Sequence, residues 1–347
     1  MSKRGALLLV VGLAFLASGA ARPGSTATKP PRAIRIGGVD AVSAIRPWDY
    51  TGPNPDGWWC RPGKCRSVAN GTVFVDRETR LTSLLHAKIV RLDFPWAFVE
   101  PARGRYDWSR ADYIVRALRR YRLQIHAVLA YTPSWAGNTA SSPPAAADFA
   151  AFARAFAHRY RGRIAYFELW NEPDLQRYWA GTEEQFVKTI VVPGYRALKA
   201  GAPKGKVVVG PSFADRPWLE DLYRFGGGGS FDVLSWHDYS GDASILSNAK
   251  LVQGVLREHG QGRKPIWLGE YGFEEPGLDD RSHAGLLTQV LTSKAPFAVA
   301  EWYALRDDYS MSCCPLQILE TSRYGLLTAD YRKKTSYRVM QSLLRPR

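Results

Sequence analysis

The chain's chemistry-bearing stretch is FELWNEP, Phe167 to Pro173, an apolar run that ends in an amide, a carboxylate and a proline. Pro173 has no N–H to give a sheet and disfavours helix at the residue before it, so a strand must stop here with Asn171 and Glu172 at its rim. A second apolar run, Pro265 to Glu270, closes on another acid. Two carboxylates at strand ends can divide the work of breaking a glycosidic bond. One protonates the leaving oxygen while the other attacks the anomeric carbon.

Glu172 and Glu270 can meet only if the intervening elements bring two strand ends together. Strand patterns fall at residues 33–39, 88–93, 124–130, 167–173, 206–210, 231–239, 265–270 and 296–303. Helical patterns lie between them. Phe149, Phe152, Ala153, Phe156 and Tyr160 share one helical face, and Leu81 to His86 is a short helix. Ser109 with Asp112 is spaced as a capping box, as is Thr182 with Gln185, whose helix runs toward Ala200 with Pro193 as a kink or stop. Eight such repeats predict an α/β chain folded as a single-domain (β/α)8 TIM barrel over residues 33–347. A doubly wound sheet would require a GxGxxG turn after the first strand, which Ile36, Gly37 and Gly38 do not begin.

Catalytic residues of such a barrel sit at the C-terminal ends of its strands. Polar residues collect at those ends: Arg91 and Asp93 on the second strand, Tyr131, Thr132 and Trp135 after the third, and Asn171 and Glu172 on the fourth. His237 and Tyr239 end the sixth, Glu270 the seventh, and Glu301 and Trp302 the eighth. Each taken singly has a plain structural explanation, as an ion pair, a cap or a core side chain. Their joint placement points to a site.

The motif WNEP on the fourth strand, His237-Asp238-Tyr239 on the sixth and Glu270 ending the seventh resemble the retaining glycoside hydrolases of clan A. VRLDFPWAFVEPARGRYDW, from Val90 to Trp108, and Tyr324 to Leu327 with Lys334 and Tyr337 resemble the bacterial members near families 39 and 5. The resemblance covers essentially the whole mature chain. It implies Glu172 as acid/base, with its pKa raised by apolar neighbours such as Trp170 and by the charge of Glu270, and Glu270 as nucleophile. The two carboxyl groups should then lie roughly 5 Å apart. Arg91 and Tyr239 would hold the nucleophile, and Asn171 would donate to the sugar 2-hydroxyl. His237 would position Tyr239 or a sugar hydroxyl. Asp93 is counted with the substrate-binding residues, and Trp302 and Trp135 are candidates to stack on sugar rings. Trp58, Trp59 and Trp96 stay open between core and binding surface.

The expected activity is hydrolysis of O-glycosidic bonds in an oligo- or polysaccharide by double displacement, without cofactor or metal. Transglycosylation on the same site and a non-catalytic carbohydrate-binding barrel are the alternatives. A 347-residue chain with 46% hydrophobic residues can bury a substantial core. The formal net charge of +15 admits nucleic acid, an anionic membrane surface or an acidic glycan as partner. Its carriers are spread along the chain, in short clusters such as Arg116, Arg119 and Arg120, so the charge is read as solvated surface and no nucleic-acid partner is expected.

Residues 1–21 carry Lys3 and Arg4, an apolar core from Ala6 to Leu16 and then small residues, the pattern of a signal peptide. Residues 22–32 follow as a linker, and the expectation is a secreted protein without stable membrane insertion after cleavage. Export permits disulfides, and Cys60, Cys65, Cys313 and Cys314 allow three pairings. Bridges between the two groups are favoured over one joining the adjacent Cys313 and Cys314. In a closed barrel the loops after strands one and eight are neighbours, so such a bridge would staple the rim. The spacing matches no usual zinc site. Asn70-Gly71 is read as a turn, and the pairs Asp279-Asp280 and Asp307-Asp308 as solvated loop charge.

Overall fold

The computed structural model describes residues 36–40, 72–241, 244–312 and 317–346. Residues 1–32, read as signal peptide and linker, Trp58, Trp59, Asn70-Gly71 and all four cysteines lie outside them. In chain order the elements are β1 Ile36–Asp40, α1 Thr72–Leu84, β2 Ile89–Pro95, α2 Trp96–Val99, α3 Ser109–Arg120, β3 Gln124–Ala130, α4 Ala146–Arg159 and β4 Tyr166–Leu169. There follow α5 Glu183–Phe186, a π-helical turn Val187–Val191, α6 Val192–Gly201, β5 Lys206–Val209, α7 Arg216–Arg224, β6 Val233–Asp238 and α8 Ser244–Glu258. The chain closes with β7 Ile266–Tyr271, α9 Arg281–Thr292, β8 Phe297–Trp302, β9 Asp308–Ser312, β10 Gln317–Ser322 and α10 Thr335–Leu344.

Strands β1 to β8 form a closed parallel barrel in sequence order, the single-domain (β/α)8 architecture expected. Closure is made by β1 pairing with β8, where Gly38 faces Glu301 across the ladder. A Cβ on Gly38 would lie 2.6 Å from Ile89 Cγ2 and 2.8 Å from Glu301 Cγ, so only glycine lets the strands seal over that side chain.

Side chains alternate along each strand, and the inward-pointing ones stack in layers. Ile89, Val208, Val233, Trp267 and Val299, with Tyr166 against them, form an apolar floor cluster separate from the larger core. Two residues further along the same strands come Arg91, Ser235 and Glu301, all buried and polar, with Glu168 beside them. The next step along β2 and β6 reaches Asp93 and His237 at the mouth. The barrel interior is thus graded from apolar to ionic along its axis.

Outside the sheet, the predicted face of α4 is buried through Phe149, Phe152, Ala153 and Phe156, with Tyr160 just beyond its end. Phe152 stacks on Trp96 at 5.2 Å, and Phe156 meets Phe94 edge-on at 5.0 Å. Trp96 is a core residue. Thr182 and Gln185 make the predicted capping box on α5. The kink expected at Pro193 takes the form of the π turn immediately before it, where an N–H missing from the ladder is accommodated.

Four sequence expectations change. Helix α1 begins at Thr72 rather than near Leu81, because its inner face uses buried Glu78, Thr79 and Thr82 in place of apolar residues. Glu78 accepts hydrogen bonds from Arg306 at 3.1 Å and Tyr331 at 3.0 Å. Ser109 does not cap α3. Its N–H is taken by Asp107 at 2.9 Å, while Asp112 accepts from Arg159 and Tyr160. Asp280 and Asp307 are buried anchors rather than solvated charge: Asp280 accepts from the N–H of Ser336 at 2.8 Å, and Asp307 pairs with fully buried Lys334 at 2.8 Å. The segment after β8, read as loop, carries the β9–β10 hairpin.

Replacing Phe152 by Ala should cost about 3–5 kcal/mol, because it leaves a cavity among Trp96, Phe149 and Phe156. Urea unfolding measures it, and a midpoint within error of wild type would show that α4 does not depend on this cluster.

Candidate active site

Strand β4 ends at Leu169, and the next residues leave extended geometry: Trp170 has φ 75° and Glu172 φ 43°, both in the left-handed region. The break in alternation lets two consecutive side chains, Asn171 and Glu172, reach the barrel mouth. Packing holds the strained turn. Trp170 is fully buried against Phe149 and Trp179, and its Nε1 donates to the Tyr178 carbonyl at 2.8 Å.

At the centre is Arg91, 1% exposed. Its Nε donates to Glu168 Oε2 at 2.7 Å, its Nη2 to Asn171 Oδ1 at 2.9 Å and its Nη1 to Glu270. A guanidinium can only donate, so Asn171 is fixed with its oxygen toward Arg91 and its NH2 toward the mouth. Glu270 also accepts from the Tyr239 hydroxyl, whose pKa burial and the Glu270 charge push far up, keeping it a neutral donor. A Cβ on Gly269 would lie 2.4 Å from Ser235 Oγ, so the residue before Glu270 must be small for the Ser235 hydroxyl to keep its place in the barrel.

His237 Nδ1 is 2.9 Å from Glu172 Oε1 and 3.5 Å from Glu270 Oε2. Ligating atoms of these three residues all lie within 4.8 Å of one another, which puts an oxygen of Glu172 that close to one of Glu270. Burial alone would strip the proton from His237, but the charge of Glu270 and the bond to Glu172 raise its pKa from 6.5 to about 8. Glu172 responds oppositely. Burial raises it, yet the hydrogen bond and charge of His237, then Arg177 and Arg91, bring it below its ordinary value. The expectation of a raised Glu172 pKa is therefore corrected for the free site: Glu172 and His237 share a proton that rests on the imidazole.

Beneath the mouth, His126 Nδ1 lies 2.8 Å from Glu301 Oε2, and its Nε2 lies 3.4 Å from Glu168 Oε2. Burial drives His126 down to about 3 and Glu301 well above the carboxylate range, so both are neutral. With both neutral, Glu301 O–H donates to Nδ1, while Nε2 stands 3.4 Å from Glu168, which in turn receives Arg91, without a hydrogen-bond partner of its own among the described residues.

Of the sequence-predicted residues, Glu172, Glu270, Arg91, Asn171, His237 and Tyr239 form one network. Asp93 joins its edge, accepting from the Tyr131 hydroxyl at 2.9 Å, and burial raises its pKa to about 6 against the pull of Arg91. Trp135 is set apart: its Nε1 donates to the Glu100 carbonyl at 2.8 Å, its edge meets Trp96 and Arg103 covers a face at 5.0 Å. Trp302 is a correction. It is fully buried between Tyr271 and His283 with Nε1 on the Tyr324 carbonyl, so its ring has no face for a sugar. Its neighbour Tyr303 meets Tyr239 at 5.9 Å and Tyr324 at 5.6 Å, forming an aromatic group beside Glu270. Sequence reasoning also passed over Arg177, 3.3 Å from Glu172 Oε2, and the buried pair His126 and Glu168. A charged residue at an inward strand position below a predicted mouth residue was the available signal for Glu168.

No protein-family model and no curated protein sequence matches the chain. Solved structures do. A family 39 glycoside hydrolase from the gut symbiont Bacteroides cellulosilyticus WH2 superimposes with a TM-score of 0.65 at 19% identity, covering 78% of this chain and 60% of that one. This chain thus spans less than two thirds of that protein's length. A GH39 β-xylosidase from Caulobacter crescentus gives a TM-score of 0.66 at 17% identity over 92% of this chain and 73% of that one. A family 1 β-glucosidase from Thermotoga maritima gives 0.62 at 12% identity over 89% and 97%. The likeness is one of fold.

Glu172, His237 and Glu270 could in principle ligate a metal. Their facing atoms are already bonded to one another or to Arg91 and Tyr239, and Arg91 and the imidazolium supply the positive charge that a cation would bring.

The site makes two predictions. Glu301→Gln should keep the melting temperature near wild type, since a neutral amide can still donate to His126, whereas Glu301→Leu should cost about 1–3 kcal/mol by orphaning that ring. Thermal melts compare them, and an equal loss in both would show that Glu301 is needed as an anion. Because the folded pKa of His237 lies above 6.5, its stabilising contribution is complete below pH 6.5 and disappears as pH rises through about 8. Melting temperatures of wild type and His237→Gln should converge across that window, and a constant gap would contradict the shared proton.

Proposed function

We propose that this chain is a secreted retaining glycoside hydrolase, with Glu172 as acid/base and Glu270 as nucleophile. The observation that carries the reading is the approach of Glu172 and Glu270 to within 4.8 Å at the C-terminal ends of β4 and β7. Retaining sites hold their carboxyl groups about 5–5.5 Å apart, while inverting ones leave roughly 6.5–9.5 Å for a water. The glycoside hydrolases that share the fold, and the signal-like segment at residues 1–21, support the same reading.

In the first step Glu270, aligned by Arg91 and Tyr239, forms an ester bond to the anomeric carbon. The bond to the glycosidic oxygen breaks, and that oxygen takes a proton from Glu172. The proton comes from the pair with His237, 2.9 Å away, and crosses to Glu172 as substrate excludes water from the mouth. In the second step Glu172 takes a proton from water, the water oxygen bonds to the anomeric carbon, and Glu270 leaves as carboxylate. The NH2 of Asn171, oriented by Arg91, donates to the hydroxyl beside the anomeric centre, a bond that strengthens as positive charge develops. Tyr303, in place of Trp302, offers the aromatic face next to Glu270.

Glu270→Gln should abolish turnover. Glu172→Ala should lose about 10²–10⁴-fold on glycans, which need a proton on the leaving oxygen, and far less on dinitrophenyl glycosides in the glycosylation step. Proton NMR of the first-formed sugar should show the substrate's anomeric configuration. Inverted product, or unchanged hydrolysis by Glu270→Gln, would refute the assignment, and release of transfer products with added acceptor sugar would favour transglycosylation.

A further inference from the structure

The guanidinium of Arg177 is set against the group that the proposed mechanism needs protonated. Arg177 lies in the loop after β4, five residues beyond Glu172, and is 58% exposed. Among the described residues its one polar side-chain contact is Nη2 to Glu172 Oε2 at 3.3 Å. That contact is long and single where a guanidinium can make short paired bonds to a carboxylate, so most of its donors are unused. Its plane rests over the Tyr178 ring at 4.6 Å, which orients it without consuming those donors.

The groups facing Glu172 are His237 from β6, Arg91 from β2, and Arg177, Tyr178 and Asp174 from its own loop, with Glu270 behind His237. His237 and Arg91 are enclosed and serve the chemistry of the bond. Arg177 is the exposed cation of the group and touches Oε2 of Glu172, the oxygen that His237 does not bond; with Glu172 as the acid of the proposed mechanism, Arg177 would stand beside the leaving group. With a neutral substrate it would keep Glu172 ionised and oppose the first step. A carboxylate arriving on the leaving group would instead take both edges of the guanidinium, draw it from Glu172 and remove that opposition. Glu172 is buried but keeps its shorter bond to His237, and the contact that Arg177 gives up is long and single, so the exchange costs little. The formal net charge of +15 would also raise the local concentration of a polyanion.

We propose that Arg177 is a specificity-determining residue that binds a carboxylate on the leaving-group side of the scissile bond, making acidic, uronate-bearing glycans the substrate class. The inference rests on the glycosidase reading above. Its test uses matched pairs of 4-nitrophenyl and 3-carboxy-4-nitrophenyl β-D-glucosides, xylosides and mannosides with wild type and Arg177→Gln. Intrinsic leaving-group differences cancel when each enzyme's ratio of kcat/KM, carboxylated over neutral, is compared. That ratio should fall by about tenfold or more in Arg177→Gln, mostly through KM at low ionic strength, and Arg177→Lys should restore part of it. Ratios equal within twofold in the two enzymes would overturn the role of Arg177 and leave the glycosidase reading standing. If wild type cleaves none of the six glycosides and releases no reducing ends from neutral or uronate-rich polysaccharides, the glycosidase reading falls and the inference with it.

Discussion

One buried guanidinium ties the upper barrel together. Arg91 is reached by side chains from β4, from the turn that follows it and from β7, so these bonds fix Glu168, Asn171 and Glu270 relative to β2. Taking such a charge out of water is costly, and the cost is offset only where every donor finds an anion or a strong acceptor. Removing any of these partners would leave uncompensated charge in a closed space. The positions of the two mouth glutamates are therefore a by-product of satisfying one cation.

That requirement sets the protonation of everything nearby. Burial makes Glu301 neutral, and the nearby charges of Glu168 and Glu270 push it the same way against the pull of Arg91. Asp93, at the rim, is driven partway in the same direction. His126 and His237 share the barrel interior yet lie on opposite sides of neutrality. His237 has two carboxylates within 3.5 Å, whereas His126 has one that is already paired with Arg91 and one that is uncharged. Two histidines of the same burial thus acquire separate jobs, one as a proton reservoir and one as a fixed strut.

The order and number of the barrel strands were legible because each is an apolar run closed by turn chemistry, and the rim residues because polar side chains cluster at those ends. Trp302 marks where this reasoning stops. Its position at the end of β8 was read correctly, but adjacent residues of a strand point to opposite faces, and with Val299 and Glu301 turned into the barrel Trp302 falls on the outer face and Tyr303 on the inner. The same holds for Glu172: burial and a nearby carboxylate argued for a raised pKa, while the cations that reverse it come from β6 and from a loop arginine. Pairings across 65 residues, as between Glu172 and His237, leave no local trace. Helix α1 was cut short for a related reason, its inner face being satisfied by Arg306 and Tyr331 from the far end of the chain.

The left-handed residues at the end of β4 link the two levels. An extended strand would send Asn171 and Glu172 to opposite faces, one into the mouth and one toward the helices. The positive φ at Trp170 and Glu172 places both in the mouth, at a conformational cost of order 1–3 kcal/mol each. The buried Trp170 ring and the Arg91–Asn171 bond hold the turn in that form. Arg91 therefore secures Glu270 directly and Glu172 through the backbone of its neighbour, so the spacing between the two glutamates is set by one side chain acting from β2 along two routes.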